Sequence, residues 1–337
     1  MPRTAIQWTT TIALTLVLLL IFIGGLVRAT GAGLGCPDWP RCWGSWWPPA
    51  SANEIRLENL NPKKIPQEYR DAPDPRVFFN HQKMWIEYLN RLWGVLAGLA
   101  VVAMVLTAIP YVWRQRSIFG YALLSLVLML FQGWLGALVV RSGLKQSMIS
   151  IHMAIALLIL GVLIYTRFLA YGAPRAAAVC ALSKRLCLRK LAILALVLTL
   201  VQVLGGTHVR EVLDHVADTQ THLNRSQWIS QVGLADHFHR LFSWPVLFAV
   251  VAIFWQTRRT TPPLQRRATL ALCLVMTQIS LGISLVYFGL PPASQFLHLG
   301  IAAALASVLF RVWLDAAADA KDSVSDNKAF PPSHPVS

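Results

Sequence analysis

Charge is scarce in this chain, and acid is scarcer than base. Of 337 residues only 13% are Asp, Glu, Lys or Arg, with 15 acids against 30 bases, while 55% are apolar and the mean hydropathy is +0.53. A soluble domain of this length needs far more polar surface, so the composition excludes a water-soluble globular protein and defines an integral membrane protein in the lipid bilayer. Other absences narrow the chemistry. There is no Cys-x-x-Cys-His, which argues against covalently attached haem, and no flavin or nicotinamide motif. The first apolar run is long and poorly followed by a small-residue cleavage site, so it reads as a retained span rather than a removable signal.

What is present is a series of eight apolar runs long enough to cross a bilayer, at 8–27, 86–110, 118–140, 148–170, 191–209, 236–256, 268–289 and 295–314. The fold class is therefore all-α and integral to the membrane, with eight transmembrane helices arranged as two pseudo-symmetric four-helix bundles. The expected units are 1–175, 176–316 and a disordered cytoplasmic tail, 317–337. Lys and Arg resist translocation when they sit close to a span. The basic short loops 111–117 (Arg114, Arg116), 171–190 (Arg175, Lys184, Arg185, Arg189, Lys190) and 257–267 (Arg258, Arg259, Arg266, Arg267) belong on the cytoplasmic or matrix side with both termini. The segments 28–83, 141–147, 210–235 and the Pro291-Pro292 turn are then exported. The net charge of +15 is mostly topology, and its division among loops on two faces argues against a nucleic-acid partner.

The halves repeat each other. Glu87-Tyr-Leu-Asn90-Arg91-Leu and Asp236-His-Phe-His239-Arg240-Leu stand 149 residues apart, and both runs continue into Ala-Val-Val-Ala. Gln132-x-x-x-Gly136 with His152 recurs 146 residues later as Gln278-x-x-x-Gly282 with His298. On the inferred topology eight of the nine histidines lie toward the exported side, at 81, 152, 208, 215, 222, 237, 239 and 298; His334 alone lies inside. An intramembrane histidine is costly unless it faces the bundle interior and finds a partner, which makes His152, His239 and His298 site candidates; the plain alternative is an interhelical hydrogen bond. Two opposed imidazoles at one depth in a helix bundle, as expected for His239 and His298, are the usual way to hold a haem iron on both faces. In the first half Asn90 stands where the repeat calls for histidine, so an iron there has His152 and an open or labile second side; His81 at the mouth of the helix is a distant substitute.

Glu87 shares a helical face with Asn90. It either pairs with Arg91 and the helix dipole, or serves as a carboxylate beside a macrocycle, moving protons or stabilising a developing cation. Asp236 holds the equivalent place in a supporting role. Cys36 and Cys42, in an exported loop where disulfides persist, read as a disulfide, with an exchanging dithiol as the alternative. Cys180, Cys187 and Cys273 read as reduced thiols. Gly24-Gly25 and Gly205-Gly206, each followed closely by Val-Arg, allow close helix approach or room for a planar ligand. Arg28 and Arg210 have two readings, as partners of haem propionates or as snorkelling helix ends. Trp39, Trp43, Trp46 and Trp47 read as an outer interface anchor or a cover over the first-half pocket.

With these residues on the page, the chain resembles haem A synthase over about residues 10–315. The resemblance rests on eight spans, the Gly-Gly-Leu-Val-Arg-x-Thr-Gly-Ala-Gly-Leu-Gly-Cys36-Pro-Asp-Trp-Pro-x-Cys42 segment, Glu87-Tyr-x-x-Arg91, His152, His239-Arg240 and His298. It implies oxidation of the C8 methyl of haem O to a formyl group by successive hydroxylations, for an aa3-type terminal oxidase in a bacterial inner membrane or the mitochondrial inner membrane. It further implies a haem b cofactor on His239 and His298, with Arg210 beside it. The substrate haem O would sit in the first half with His152, Asn90, Arg91 and Arg28, and Glu87 would be the carboxylate needed for catalysis. Many members carry histidine where this chain has Asn90. Haem O synthase and an electron-transfer protein are the expected partners, and self-association is left open. Two other classes account for the histidines: a di-haem b-type electron carrier, and a haem transporter or chaperone.

Overall fold

The computed structural model describes residues 4–172, 182–220, 222, 224–258 and 260–329, and among these there is no strand, only an isolated bridge between Cys42 and Ser45. Arg175, Cys180, Arg259 and His334 lie outside the described residues. Eight helices are long and apolar enough to cross a membrane. We label them α1 (Ala5–Ala29), α2 (His81–Ala108), α3 (Arg116–Arg141), α4 (Gln146–Tyr171), α5 (Leu182–Thr219), α6 (Leu234–Thr257), α7 (Pro262–Tyr287) and α8 (Pro292–Ala329). Inside hydrocarbon each backbone N–H and C=O must be satisfied within the protein, and a helix does this segment by segment. Local signals set the ends. Asn80 caps α2 by accepting from the Lys83 N–H at 3.0 Å, Pro262 opens α7, and Gly172 closes α4 at φ +73°.

In the first half α1 packs on α2 and α4, and α3 packs on both α2 and α4. In the second half α5 packs on α6 and α8, and α7 on both α6 and α8. The halves meet chiefly where α8 lies along α1 and α4. That contact is made by small residues: a Cβ on Gly300 would collide with the ring of Phe22, and one on Gly25 would sit 3.3 Å from Phe296 Cα. Close backbone approach of this kind replaces the hydrophobic drive that helices lack in lipid. The faces turned away from the contacts are apolar and exposed, as with Leu92, Val95 and Leu99 on α2 and Leu241, Phe248 and Trp255 on α6, the pattern of a chain solvated by lipid.

The sequence bounds of the fifth span are too short. Polar residues from Thr207 onward end the hydropathic run, yet the helical period continues and α5 reaches Thr219, with Leu213 buried against Val232 and Leu290. Arg210 and His215 therefore stand on helix rather than in an exported loop, and Cys187 stands on α5 rather than in a cytoplasmic one. The last helix runs to Ala329, past residue 316, where the sequence reading ends the second half.

Residues 30–80 fold as a cap over the N-terminal end of α2. Cys36 and Cys42 are disulfide-bonded and fully buried. Trp43, 2% exposed, donates from Nε1 to the Gly35 carbonyl at 2.8 Å and packs on Tyr69 and Phe79, so it is core and not a membrane anchor. Trp46 and Trp47 are exposed. The Tyr69 hydroxyl donates to the Leu34 carbonyl at 3.0 Å and that of Tyr88, on α2, to the Trp46 carbonyl at 2.9 Å. Gly35 lies so close to α2 that an added Cβ would fall 2.3 Å from the Lys83 carbonyl oxygen. Backbone cannot yield as a side chain can, so Gly35→Ala is expected to lose about 1–3 kcal/mol of cap docking. Limited proteolysis of the cap and the thermal midpoint in detergent measure this; unchanged values would show that the cap is not seated through Gly35.

Candidate functional site

Two sets of polar groups, one in each half, lie near the ends of the helices next to the cap. In the second half His239 on α6 and His298 on α8 face one another with ring centroids 6.3 Å apart. Each rests on a glycine of a neighbouring helix. A Cβ on Gly206 of α5 would lie 3.1 Å from His239 Cε1, and one on Gly282 of α7 would lie 3.5 Å from His298 Cε1. Gln202 Nε2 donates to the His239 carbonyl at 2.7 Å. The Nδ1 atoms of both histidines are buried without a hydrogen-bond partner, which is expensive in an apolar interior. Asp236, one turn before His239, pairs with Arg240.

The first half repeats this with one side altered. His152 on α4 rests on Gly136 of α3, where a Cβ would lie 3.5 Å from Cε1, and its carbonyl accepts from Gln132 Nε2 at 3.0 Å. His152 Nδ1 is likewise buried and unpartnered. On α2, Asn90 stands in place of a histidine with its side chain turned to the Glu87 carboxylate. His81 is exposed and its Nε2 accepts from Trp85 Nε1 at 3.1 Å, so it does not stand in for the missing ligand.

Glu87 is 5% exposed, and its Oε1 accepts from Arg91 Nε at 2.8 Å. The rest of the Arg91 guanidinium is committed to the cap: Nη1 donates to the carbonyls of Asp38 (2.6 Å) and Arg41 (2.8 Å), and Nη2 to that of Cys36 (2.7 Å). Arg91 thus welds the disulfide loop to the carboxylate. Sequence reasoning placed Arg91 with the ligand site; its three carbonyl contacts lie 50 to 55 residues away in the chain.

Arg28 and Arg210, one from each half, converge on a single carboxylate. Arg28 Nη2 donates to Asp214 Oδ2 at 2.8 Å and to Gln146 Oε1 at 2.7 Å; Arg210 lies 2.9 Å from Asp214 Oδ1 and donates to Gln295 Oε1. Gln146 and Gln295 are again 149 residues apart, so each arginine has its own half's glutamine and both share Asp214. The sequence reading missed Asp214 because it fell in a supposed loop. Its spacing of four from Arg210 is the signal that a longer α5 makes readable.

Among the described residues no three His, Cys, Asp or Glu side chains converge as they would around a bare metal ion. The second half offers instead two opposed imidazoles. An iron–nitrogen bond of about 2 Å on each side, with about 1 Å more to each ring centre, puts such centroids roughly 6 Å apart, and the observed spacing, the unpartnered ring nitrogens and the glycine cradles fit a haem held on both faces. The first half fits a haem held on one.

This arrangement defines a class: an eight-span helical membrane protein with one paired and one single histidine set near one end of its helices and a disulfide-bonded cap docked on α2. The sequence profile described as cytochrome oxidase assembly protein, COX15-CtaA, matches residues 7–310, and the chain belongs to that family. It is similar to proteins named heme A synthase from Shewanella oneidensis (25% identity, 91% of this chain and 95% of the relative), Rhizorhabdus wittichii (27%, 91% and 92%) and Paracoccus denitrificans (27%, 92% and 87%).

Two predictions follow from the cap. Arg91→Gln removes the fork that holds three loop carbonyls, so the buried Cys36–Cys42 bond is expected to become reducible under mild conditions where the parent resists, as read by alkylation and mass analysis; equal protection would show that the clamp is dispensable. Asp38 is 4% exposed with Oδ1 unpartnered, and burial pushes its carboxyl above the ordinary carboxylate range despite the Gly44 N–H and the nearby Arg91 charge. A raised acid in the folded state costs stability as pH climbs through its titration. Asp38→Asn is therefore expected to raise the cap's thermal midpoint at about pH 7 and to lose that advantage by about pH 4; a gain that persisted in acid would contradict this.

Proposed function

We propose that the protein is a haem A synthase, converting the C8 methyl of haem O to the formyl group of haem A by successive hydroxylations for an aa3-type oxidase. The observation that carries the reading is a buried carboxylate, Glu87, set one helical turn from the non-ligating Asn90 in a half whose other side is His152. An electron carrier gains from two closed sites and has no use for that acid. The family and the names of the relatives support the same conclusion.

On this reading His239 and His298 would hold a resident haem b, and the first half would bind haem O through His152. A haem supplies the one-electron chemistry that the chain's own side chains lack. The residues do the rest. The carboxylate of Glu87, held at Oε1 by Arg91, accepts the proton released as the methyl is oxidised. The cap above it covers the site, and the oxygen atom of each hydroxylation and the acceptor for its two electrons come from outside the chain. Arg28 and Arg210 stand at the seam where propionates of both haems could be met, and Gln146 and Gln295 hold them in place. The two halves are taken as pseudo-symmetric units, supported by their identical order of helix packing. The basic loops support a topology with the cap and histidines outside and both termini inside, in a bacterial inner or mitochondrial inner membrane. Haem O synthase, which makes the substrate, is the natural partner.

The test is extraction and mass analysis of haems from cells that make haem O, with the parent protein and with Glu87→Gln. Haem A or its hydroxylated precursor is expected with the parent, and a fall of at least about 100-fold with the variant, while bound haem b is unchanged. Haem b bound with haem O untouched in both would favour the di-haem carrier, and haem O bound and released unaltered would favour a transporter.

A further inference from the structure

Two of the four helix pairs that flank the two sites carry the same device in full, and a third carries its spacing and its glycine. A glutamine stands four residues before a glycine, the glycine supports the Cε1 edge of an imidazole on the adjacent helix, and the glutamine's amide reaches that histidine's backbone. Gln132 and Gly136 of α3 serve His152, with the amide 3.0 Å from its carbonyl. Gln202 and Gly206 of α5 serve His239, with the amide at 2.7 Å. Gln278 and Gly282 of α7 have the same spacing, and Gly282 supports His298. A main-chain carbonyl inside a helix already accepts from its own turn, so the extra donor does not rescue an orphan. It ties the ligand-bearing residue to its neighbour.

The fourth pair, α1 with α2, lacks both parts. Four residues before Gly25 stands Ile21, and Asn90 stands opposite in place of histidine. Gly25 is spent on α8, where Phe296 and Leu299 lie 3.3 Å from its Cβ position, and Gly24 meets nothing within 4 Å. Trp93 Nε1, one turn along from Asn90, donates to the Leu16 carbonyl at 3.0 Å and fixes α2 against α1 in this register. The Asn90 amide is taken up by Glu87. A single substitution of histidine by asparagine would have left the glutamine behind.

We infer that Gln132 and Gln202, and by the repeated spacing Gln278, are positioning residues for the imidazoles of His152, His239 and His298. By the same argument, Ile21 and Asn90 together leave the α2 side of the first-half site without a ligand and without the means to fix one. This rests on the proposed function and deepens it. The substrate haem is bound through His152 alone, with its other face open beside Asn90 and Glu87, and that face admits a small exogenous ligand such as carbon monoxide or cyanide. The second-half haem, closed on both sides, does not.

The test uses the full-length protein in nanodiscs, loaded with haem b and haem O, and reads spin state by electron paramagnetic resonance and carbon monoxide binding by the reduced-state spectrum. The parent is expected to show one low-spin centre that ignores carbon monoxide and one high-spin centre that binds it. Gln202→Leu should shift the low-spin signal and weaken haem retention in the second half by about 10–100-fold, and Gln132→Leu should loosen haem from the first. Asn90→His alone should leave the first-half haem largely open to carbon monoxide, whereas Ile21→Gln with Asn90→His should convert it to a second low-spin centre. The inference is overturned if the parent shows two low-spin centres closed to carbon monoxide, if Asn90→His alone closes the site, or if Gln202→Leu leaves the low-spin signal unmoved. Should the double variant not fold, the parent spectrum and the glutamine variants still decide. Product analysis of the same samples separates the two claims: the expected spectra without haem A would refute the synthase reading alone, and haem A with two closed centres would refute this inference alone.

Discussion

A polar side chain placed among apolar helices in a bilayer has no water to fall back on, and its partner must come from the protein itself. That constraint organises the molecule. The few charged or amide groups in the spans are used in pairs: Glu87 with Arg91, Asp236 with Arg240, Gln132 and Gln202 with histidine carbonyls, and Arg311 with Asp315, which also meets Arg267. Where such a group lacks a partner, as at Nδ1 of His152, His239 and His298, the cost supports the proposal that another molecule completes the site.

The same constraint explains what could be read from the chain before its fold was known. Bilayer thickness requires long apolar runs, so all eight spans were visible, and the repeat of Glu87 with Asp236 and of His152 with His298 exposed the internal duplication. The ends of α5 were not visible, because a helix that leaves the hydrocarbon keeps its period while losing its hydropathy. Asp214 went unseen with them. The carbonyl clamp of Arg91 was illegible for a different reason: main-chain acceptors carry no sequence signature, and those of Cys36, Asp38 and Arg41 reach α2 only through the folded cap. Trp43 shows the limit of composition. Four tryptophans in one segment look alike as letters, yet one is the centre of a small core and the other three are exposed.

The third glutamine is the most instructive omission. Gln132 and Gln278 were found because each is the other's repeat. Gln202-x-x-x-Gly206 has the same form, but its counterpart is Ile21-x-x-x-Gly25, so comparing the halves erased it. A device that is absent from one quarter of a fourfold arrangement cannot be found by looking for what the halves share.

That asymmetry gives the two halves different chemical characters on one scaffold. Bis-imidazole ligation suits a centre that passes electrons, because both faces of the iron are closed and little need move when its charge changes. A site with one imidazole, an amide and a carboxylate suits a centre whose contents are altered and released. Both α1 and α2 carry the difference, and α1 is also the helix that meets α8 of the other half. The Arg28–Asp214–Arg210 bridge lies across the same seam, so Arg28 of the first half and Arg210 of the second lean on one carboxylate. A shift at either arginine changes the field felt by the other.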